Sequence, residues 1–167
     1  LVALLLEFGL GTAANLLNLK ALKLELPPEL DGVYGADEYR KSQEYSRITT
    51  RFMFISGTFR LMLLLAFWFS GGFNFLDQLV RGWGYVPVVS GILYIGIMFL
   101  AYNLLLLPFS IYATFVIEER FGFNKTTPRI FLVDRAKGLG LSLLLGVPLL
   151  AGVLALLEYA GAYAWLY

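Results

Sequence analysis

The sequence predicts an all-α fold: a polytopic transmembrane helical bundle of four spans plus the start of a fifth, with helices extending into the cytoplasm. Three observations carry this. Of 167 residues, 59% are apolar and 15% charged, whereas an ordinary soluble domain is about 45–50% apolar. Four long runs are nearly free of charge, each about as long as or longer than the roughly 20 residues that cross a bilayer core in a helix. The Lys and Arg residues gather in the first and third connections and avoid the second.

The elements follow in order. Leu1–Leu19 is the first run, with Glu7 its single charge. Pro27, Pro28 and Gly32 break the chain within Glu25–Tyr34. Ala36–Thr50 then lacks Pro and Gly and places Asp37 before Lys41 and Arg40 before Glu44, opposite charges at helical spacing. This predicts a helix that continues into the second run, Phe52–Leu76, whose one charge is Arg60. The connection that follows is aromatic, with Phe73, Phe75, Trp83 and Tyr85, the residue types that sit at headgroup level. Val86–Ile117 is uncharged and, at 1.5 Å per residue, reaches about 48 Å. It exceeds the bilayer, so either Pro108 kinks it or its end projects beyond the membrane. Leu139–Leu157 is the fourth run, and Ala162–Tyr167 reads as the beginning of a fifth. Both ends are expected to be cut, making the chain a fragment of a longer protein.

Orientation follows from charge. The first connection holds Lys20, Lys23, Arg40, Lys41, Arg47 and Arg51; the second holds Arg81 alone; the third holds Arg120, Lys125, Arg129, Arg135 and Lys137. Basic loops remain cytoplasmic, which places the first and third connections inside and the second, with the N-terminus, outside.

Composition also limits chemistry. The chain has no His and no Cys, which removes an imidazole base, a thiol nucleophile and every zinc site built from those residues. A net charge of +1 lacks the basic excess of nucleic-acid binders, so nucleic acid is excluded as a partner.

Polar residues inside spans are costly and face a bundle interior or a wet cavity. At 100° per residue, Glu7, Gly11, Asn15 and Asn18 share one side of the first span. Thr49, Ser56, Arg60 and Gly71 do so in the second, and Gly96, Asn103, Ser110 and Thr114 in the third, provided Pro108 leaves the phase intact. Glu7, Asn15, Asn18, Ser56, Arg60, Asn103, Ser110 and Thr114 are therefore the candidate lining of a hydrated interior. The other reading, in which small and amide side chains simply pack and glue helices, stays open. Local motifs are weak. Gly9-x-Gly11, Gly82-x-Gly84 and Gly138-x-Gly140 lack the remainder of a phosphate-binding fingerprint. Asn124-Lys-Thr126 is a glycosylation sequon on the side predicted to be cytoplasmic. Glu118 and Glu119 are adjacent, hence about 100° apart on a helix, and read as a solvated helix end.

Phe115-Val-Ile-Glu-Glu-Arg-Phe-Gly-Phe-Asn124-Lys-Thr-Thr, following Leu-Pro108-Phe-Ser-Ile-Tyr, closely resembles the segment before the fourth span of the type I CAAX prenyl proteases, integral membrane zinc endopeptidases. Pro-Pro28-Glu-Leu with Tyr39-Arg-Lys-Ser-Gln-Glu-Tyr resembles that family's first cytoplasmic loop, and Ala162-Tyr-Ala-Trp-Leu the start of its fifth span. The most family-like residues are Glu118, Glu119, Arg120, Gly122, Phe123 and Asn124. The resemblance implies that residues 1–167 are the N-terminal transmembrane domain of a metalloprotease, a hydrolase whose seven helices enclose a hydrated chamber. Zinc in the full-length protein would be held by a His-Glu-x-x-His helix and a later Glu beyond the fifth span. No catalytic or metal residue, and no cofactor, is expected in this fragment, which alone should be inactive. The implied partners are the lipid bilayer, the missing C-terminal helices and catalytic domain, and a peptide or prenylated protein substrate. The implied location is the cytoplasmic membrane if bacterial, or the endoplasmic reticulum or inner nuclear membrane if eukaryotic. The alternative is a transporter or channel-like module, or a membrane scaffold, without proteolytic role.

Overall fold

A computed structural model describes residues 1–22, 26 and 35–160. Its helices are α1 (Val2–Ala21), α2 (Ala36–Phe69), α3 (Gly72–Arg81), α4 (Pro87–Tyr112, continued as a π-helix over Ala113–Glu118) and α5 (Pro128–Ala160); no strand occurs among the described residues. α1, α2, α4 with its continuation, and α5 are each long and apolar enough to cross a membrane. The share of each apolar window buried within the chain is between 0% and 6%. Bare apolar faces of that extent belong in hydrocarbon. The chain is a multi-pass membrane protein.

The predicted helix over 36–50 runs without a break into the second span, giving one element of 34 residues. Asp37 and Glu38 in its first turn complement the positive end of the helix dipole. The ion pair that forms there is Asp37 with Arg40, at 3.4 Å. Lys41 lies instead over the Phe123 ring. Hydroxyls on α2 fold back onto its own backbone: Thr50 Oγ1 donates to the Ser46 carbonyl at 2.8 Å and Thr58 Oγ1 to that of Phe54 at 2.9 Å. The second of these lies in the apolar stretch, where lipid offers a hydroxyl no other partner.

Two boundaries differ from the hydropathy reading. The second apolar run extends to Leu76, but α2 stops at Phe69, because Ser70 and Gly71 form a turn in which Gly71 takes φ +75°, a conformation that glycine adopts at no steric cost. Gly71 is thus not part of a polar stripe on α2. The helix that carries the fourth run begins well before Leu139, at Pro128. Thr127 caps α5 by accepting the Ile130 N–H on Oγ1 at 3.3 Å, and Pro128 occupies the first helical position, where its missing N–H costs nothing.

The described chain forms two compact units. One comprises Leu1–Phe67 with Pro108–Lys125; the other comprises Trp68–Leu107 with the chain from Thr126 onward, and α4 passes from one to the other at Pro108.

In the first unit α1 packs on α2 near Gly57, where an added Cβ would lie 3.9 Å from the Phe8 ring. The half-buried residues of α1 are Leu4, Phe8, Thr12, Asn15 and Leu19, spaced at three and four, as one face of a helix requires.

In the second unit α3 buries Gly72, Leu76 and Val80, one residue per turn on a single stripe. Phe75 and Leu79 remain exposed beside it, and Asp77 pairs with Arg81 at 2.8 Å on the other flank. A short helix with one packed, one apolar and one charged side suits a membrane–water boundary. α4 and α5 approach closely at Gly91, where a Cβ would lie 2.8 Å from Leu154 Cδ1.

Candidate functional site

The segment the sequence singled out, Pro108–Asn124, belongs to the first unit and packs along α2. Pro108 lies inside α4 and has no N–H, so the Leu104 carbonyl loses its helical partner. The helix nonetheless continues, and downstream it widens into the π-helical turns of Ala113–Glu118. Wide turns of this kind are rare and concentrate at functional positions.

The helix ends at Gly122. Its φ is +69°; its N–H donates to the Glu119 carbonyl and the Phe123 N–H to the Glu118 carbonyl, both at 2.9 Å. This pair of bonds is a Schellman stop, whose left-handed position is usually glycine and sometimes asparagine. The reversal delivers Phe121 and Phe123 to α2. Phe121 is 4% exposed. Tyr45 meets it edge-on at 5.4 Å between centroids and meets Phe123 edge-on at 4.9 Å, geometries that aromatic quadrupoles favour. Lys41 Nζ lies 5.5 Å from the Phe123 centroid, and the Arg120 guanidinium 5.8 Å from that of Phe121. Asn124 Nδ2 donates to Glu119 Oε2 at 2.9 Å, so the sequon amide is engaged in closing the loop. Glu118 is half-buried and Glu119 exposed.

One helical stretch toward the apolar part of α2, the same two elements bound a recess of about 480 Å³. Ile48, Arg51, Phe52 and Ile55 line it from α2, and Pro108, Phe109, Tyr112 and Ile117 from the other side. Its rings hold one another: Phe52 stacks on Tyr112 at 5.3 Å, and Phe109 lies 4.8 Å from Phe59.

Asn15 is half-buried on the packing face of α1, whereas Glu7, Gly11 and Asn18 are exposed along its edge. Ser56 is 4% exposed, with its hydroxyl donating to the Met53 carbonyl at 3.2 Å. Arg60, one turn on, is exposed. The Thr49 hydroxyl is buried without a partner. Ser110 and Thr114 are half-buried, Thr114 within the π-helical turns. Asn103 lies in the second unit, exposed, its Nδ2 bonded to the Phe99 carbonyl at 2.8 Å. The Pro-Pro28 motif and Ala162–Leu166 lie outside the described residues.

No three carboxylates converge as a metal site among the described residues, and the chain has no His or Cys. These residues do not fit zinc.

Residues 15–167 match the family described as CAAX prenyl protease N-terminal, five membrane helices. The chain belongs to the CAAX prenyl protease N-terminal family. It is 32% identical over 164 residues to the CAAX prenyl protease 1 homolog of Arabidopsis thaliana, an alignment covering 93% of this chain and 39% of that protein. It is 30% identical to the Oryza sativa homolog, covering 98% of this chain and 40% of that one. The crystal structure of S. mikatae Ste24p superposes with a TM-score of 0.89 at 26% identity, covering 98% of this chain and 39% of that chain. The chain thus spans about two fifths of the length of these relatives. Within this CAAX prenyl protease N-terminal domain, sequence reasoning found the Glu118–Asn124 segment by its resemblance and missed its construction. The signal was present: a glycine flanked by two phenylalanines directly after a charged helix end.

Proposed function

We propose that residues 1–167 are the N-terminal transmembrane domain of a longer zinc endopeptidase acting on prenylated protein or peptide substrates, and that this domain forms part of the wall of a hydrated intramembrane chamber. The observation that carries the reading is the near-complete alignment of this chain with the first part of proteins named CAAX prenyl proteases. In this reading the zinc ligands and the general base lie outside residues 1–167, and no step of peptide cleavage runs through this chain. Its own contribution is architectural. The α2 extension and the Gly122 stop hold the connection before α5 on the cytoplasmic side, where a catalytic domain would close the chamber. The exposed edge of α1 with Glu7, Gly11 and Asn18 supports a wet wall, since a charged group facing hydrocarbon costs about 2.5–3.5 kcal/mol on insertion scales.

The activity is tested on the protein extended to its relatives' length, with a prenylated peptide ending in a CAAX sequence. Cleavage that a chelator abolishes and zinc restores is expected. A protein that is folded, loaded with zinc and inert toward such peptides would leave the transporter or scaffold reading in its place.

Wall and orientation are tested by single cysteines in this Cys-free chain. Asn18→Cys should react with a small hydrophilic thiol reagent and Leu16→Cys, on the lipid-facing side of α1, should not. In intact cells an impermeant reagent should label Asn74→Cys and spare Asn124→Cys. Equal reaction at positions 16 and 18 would remove the chamber wall, and labelling at Asn124 alone would invert the topology.

A further inference from the structure

The recess between α2 and the Pro108–Ile117 stretch lies at a particular depth. From Ala36 to Arg51, α2 carries Asp37, Glu38, Arg40, Lys41, Glu44, Arg47 and Arg51; from Phe52 to Phe69 it carries only Arg60. Arg51 is the last charge before the long apolar stretch, the position of lipid headgroups on the basic side of a span. The recess opens at that level and continues into apolar surface formed by Phe52, Ile55, Pro108 and Phe109. Its lining contains one cation and no carboxylate. Arg51 is exposed and has no acidic partner among the described residues. Tyr112, nearly half exposed at 49%, adds a phenol to the same lining. A volume of about 480 Å³ falls in the range of about 300–1,000 Å³ typical of small-ligand sites. A guanidinium matches a phosphate in charge and geometry, and the aromatic wall, already fixed by ring stacking, matches a hydrocarbon chain.

We propose that this recess is a phospholipid site, with the anionic phosphate held by Arg51 and an acyl chain lying along Phe52, Ile55 and Phe109. The proposal rests on the membrane-spanning fold and stands apart from the protease reading. A lipid held there would fill the gap between the α2 extension and the widened turns of Ala113–Glu118, stiffening the element that carries the Gly122 stop.

The test uses the membrane protein in phosphatidylcholine nanodiscs containing phosphatidylglycerol with a photoreactive group on one acyl chain. Crosslinked peptides are mapped, with labelling on the exposed face of α5 as the internal reference. Labelling of 52–59 and 108–117 above that reference is expected. Arg51→Ala should lower it about fivefold, Arg51→Lys should keep most of it, and Ile55→Trp, which fills the recess while retaining Arg51, should also lower it. Excess inorganic phosphate should leave it unchanged. Labelling unaffected by Arg51→Ala, displacement by inorganic phosphate as effective as by unlabelled lipid, or a recess shielded by another segment of the protein and never labelled would each overturn the proposal.

Discussion

Phe121→Ala is expected to destabilise the α4–α5 connection by about 3–5 kcal/mol, the cost of deleting a buried phenylalanine and leaving its cavity. The ring is 4% exposed and its contacts lie on the charged extension of α2, outside the long apolar stretch, so water drives its burial. Three effects act on it and their sizes differ. Burial of the ring contributes about 1.5–3 kcal/mol, the edge-on contact with Tyr45 about 0.5–1.5 kcal/mol, and the exposed Arg120 guanidinium over its face about 0.5–1 kcal/mol. Burial and packing dominate. Arg120→Ala should therefore be mild, and Phe121→Leu should recover much of what Phe121→Ala loses. Limited trypsin digestion measures this directly, because Arg120 and Lys125 flank the loop. Cleavage there should accelerate strongly in Phe121→Ala and little in Phe121→Leu. Unchanged cleavage in Phe121→Ala would mean that the aromatic cluster does not hold the loop on α2.

The sequence made much of this architecture readable, for reasons that differ between elements. The unbroken helix of α2 was legible because nothing between Ala36 and Phe69 interrupts it except Gly57, a single glycine that a helix tolerates. The end of that helix was not legible from hydropathy, because Phe73, Phe75 and Leu76 extend the apolar run across a turn that depends on the backbone of Gly71. The same three residues hid α3. Its buried stripe at Gly72, Leu76 and Val80 has helical spacing, yet it is too short to stand out beside a transmembrane run. α5 starts early because a Thr-Pro cap precedes a charged stretch that hydropathy assigns to a loop. The polar stripe of α1 shows another limit. Angles place Glu7, Asn15 and Asn18 within one arc, but they do not reveal which edge of the arc meets a neighbouring helix. The packing face through Leu4, Phe8, Thr12, Asn15 and Leu19 takes Asn15 and leaves the other two open.

Gly122→Val should cost about 2–3 kcal/mol, and the cause is conformational rather than steric. A Cβ at this position would lie 3.8 Å from Lys41 Nζ, an ordinary contact with a mobile side chain, so space is available. The backbone is the obstacle: φ is +69°, and L-residues in this region pay roughly 1–2 kcal/mol, β-branched ones more. If the chain escapes by leaving the left-handed region, it gives up the bonds from Gly122 N–H to Glu119 and from Phe123 N–H to Glu118, both at 2.9 Å. Each contributes about 0.5–1.5 kcal/mol, and Phe123 is then carried away from Tyr45. Either route is costly, and asparagine discriminates between this account and a simple size effect. Its side chain is about as large as that of valine, but asparagine tolerates the left-handed conformation. The expected order of destabilisation is Gly122→Asn, then Gly122→Ala, then Gly122→Val, read by thermal unfolding in detergent together with trypsin cleavage at Arg120 and Lys125. If asparagine and valine proved equally damaging while alanine was harmless, volume would be the cause, and the left-handed stop would not be what places Phe121 and Phe123 on α2.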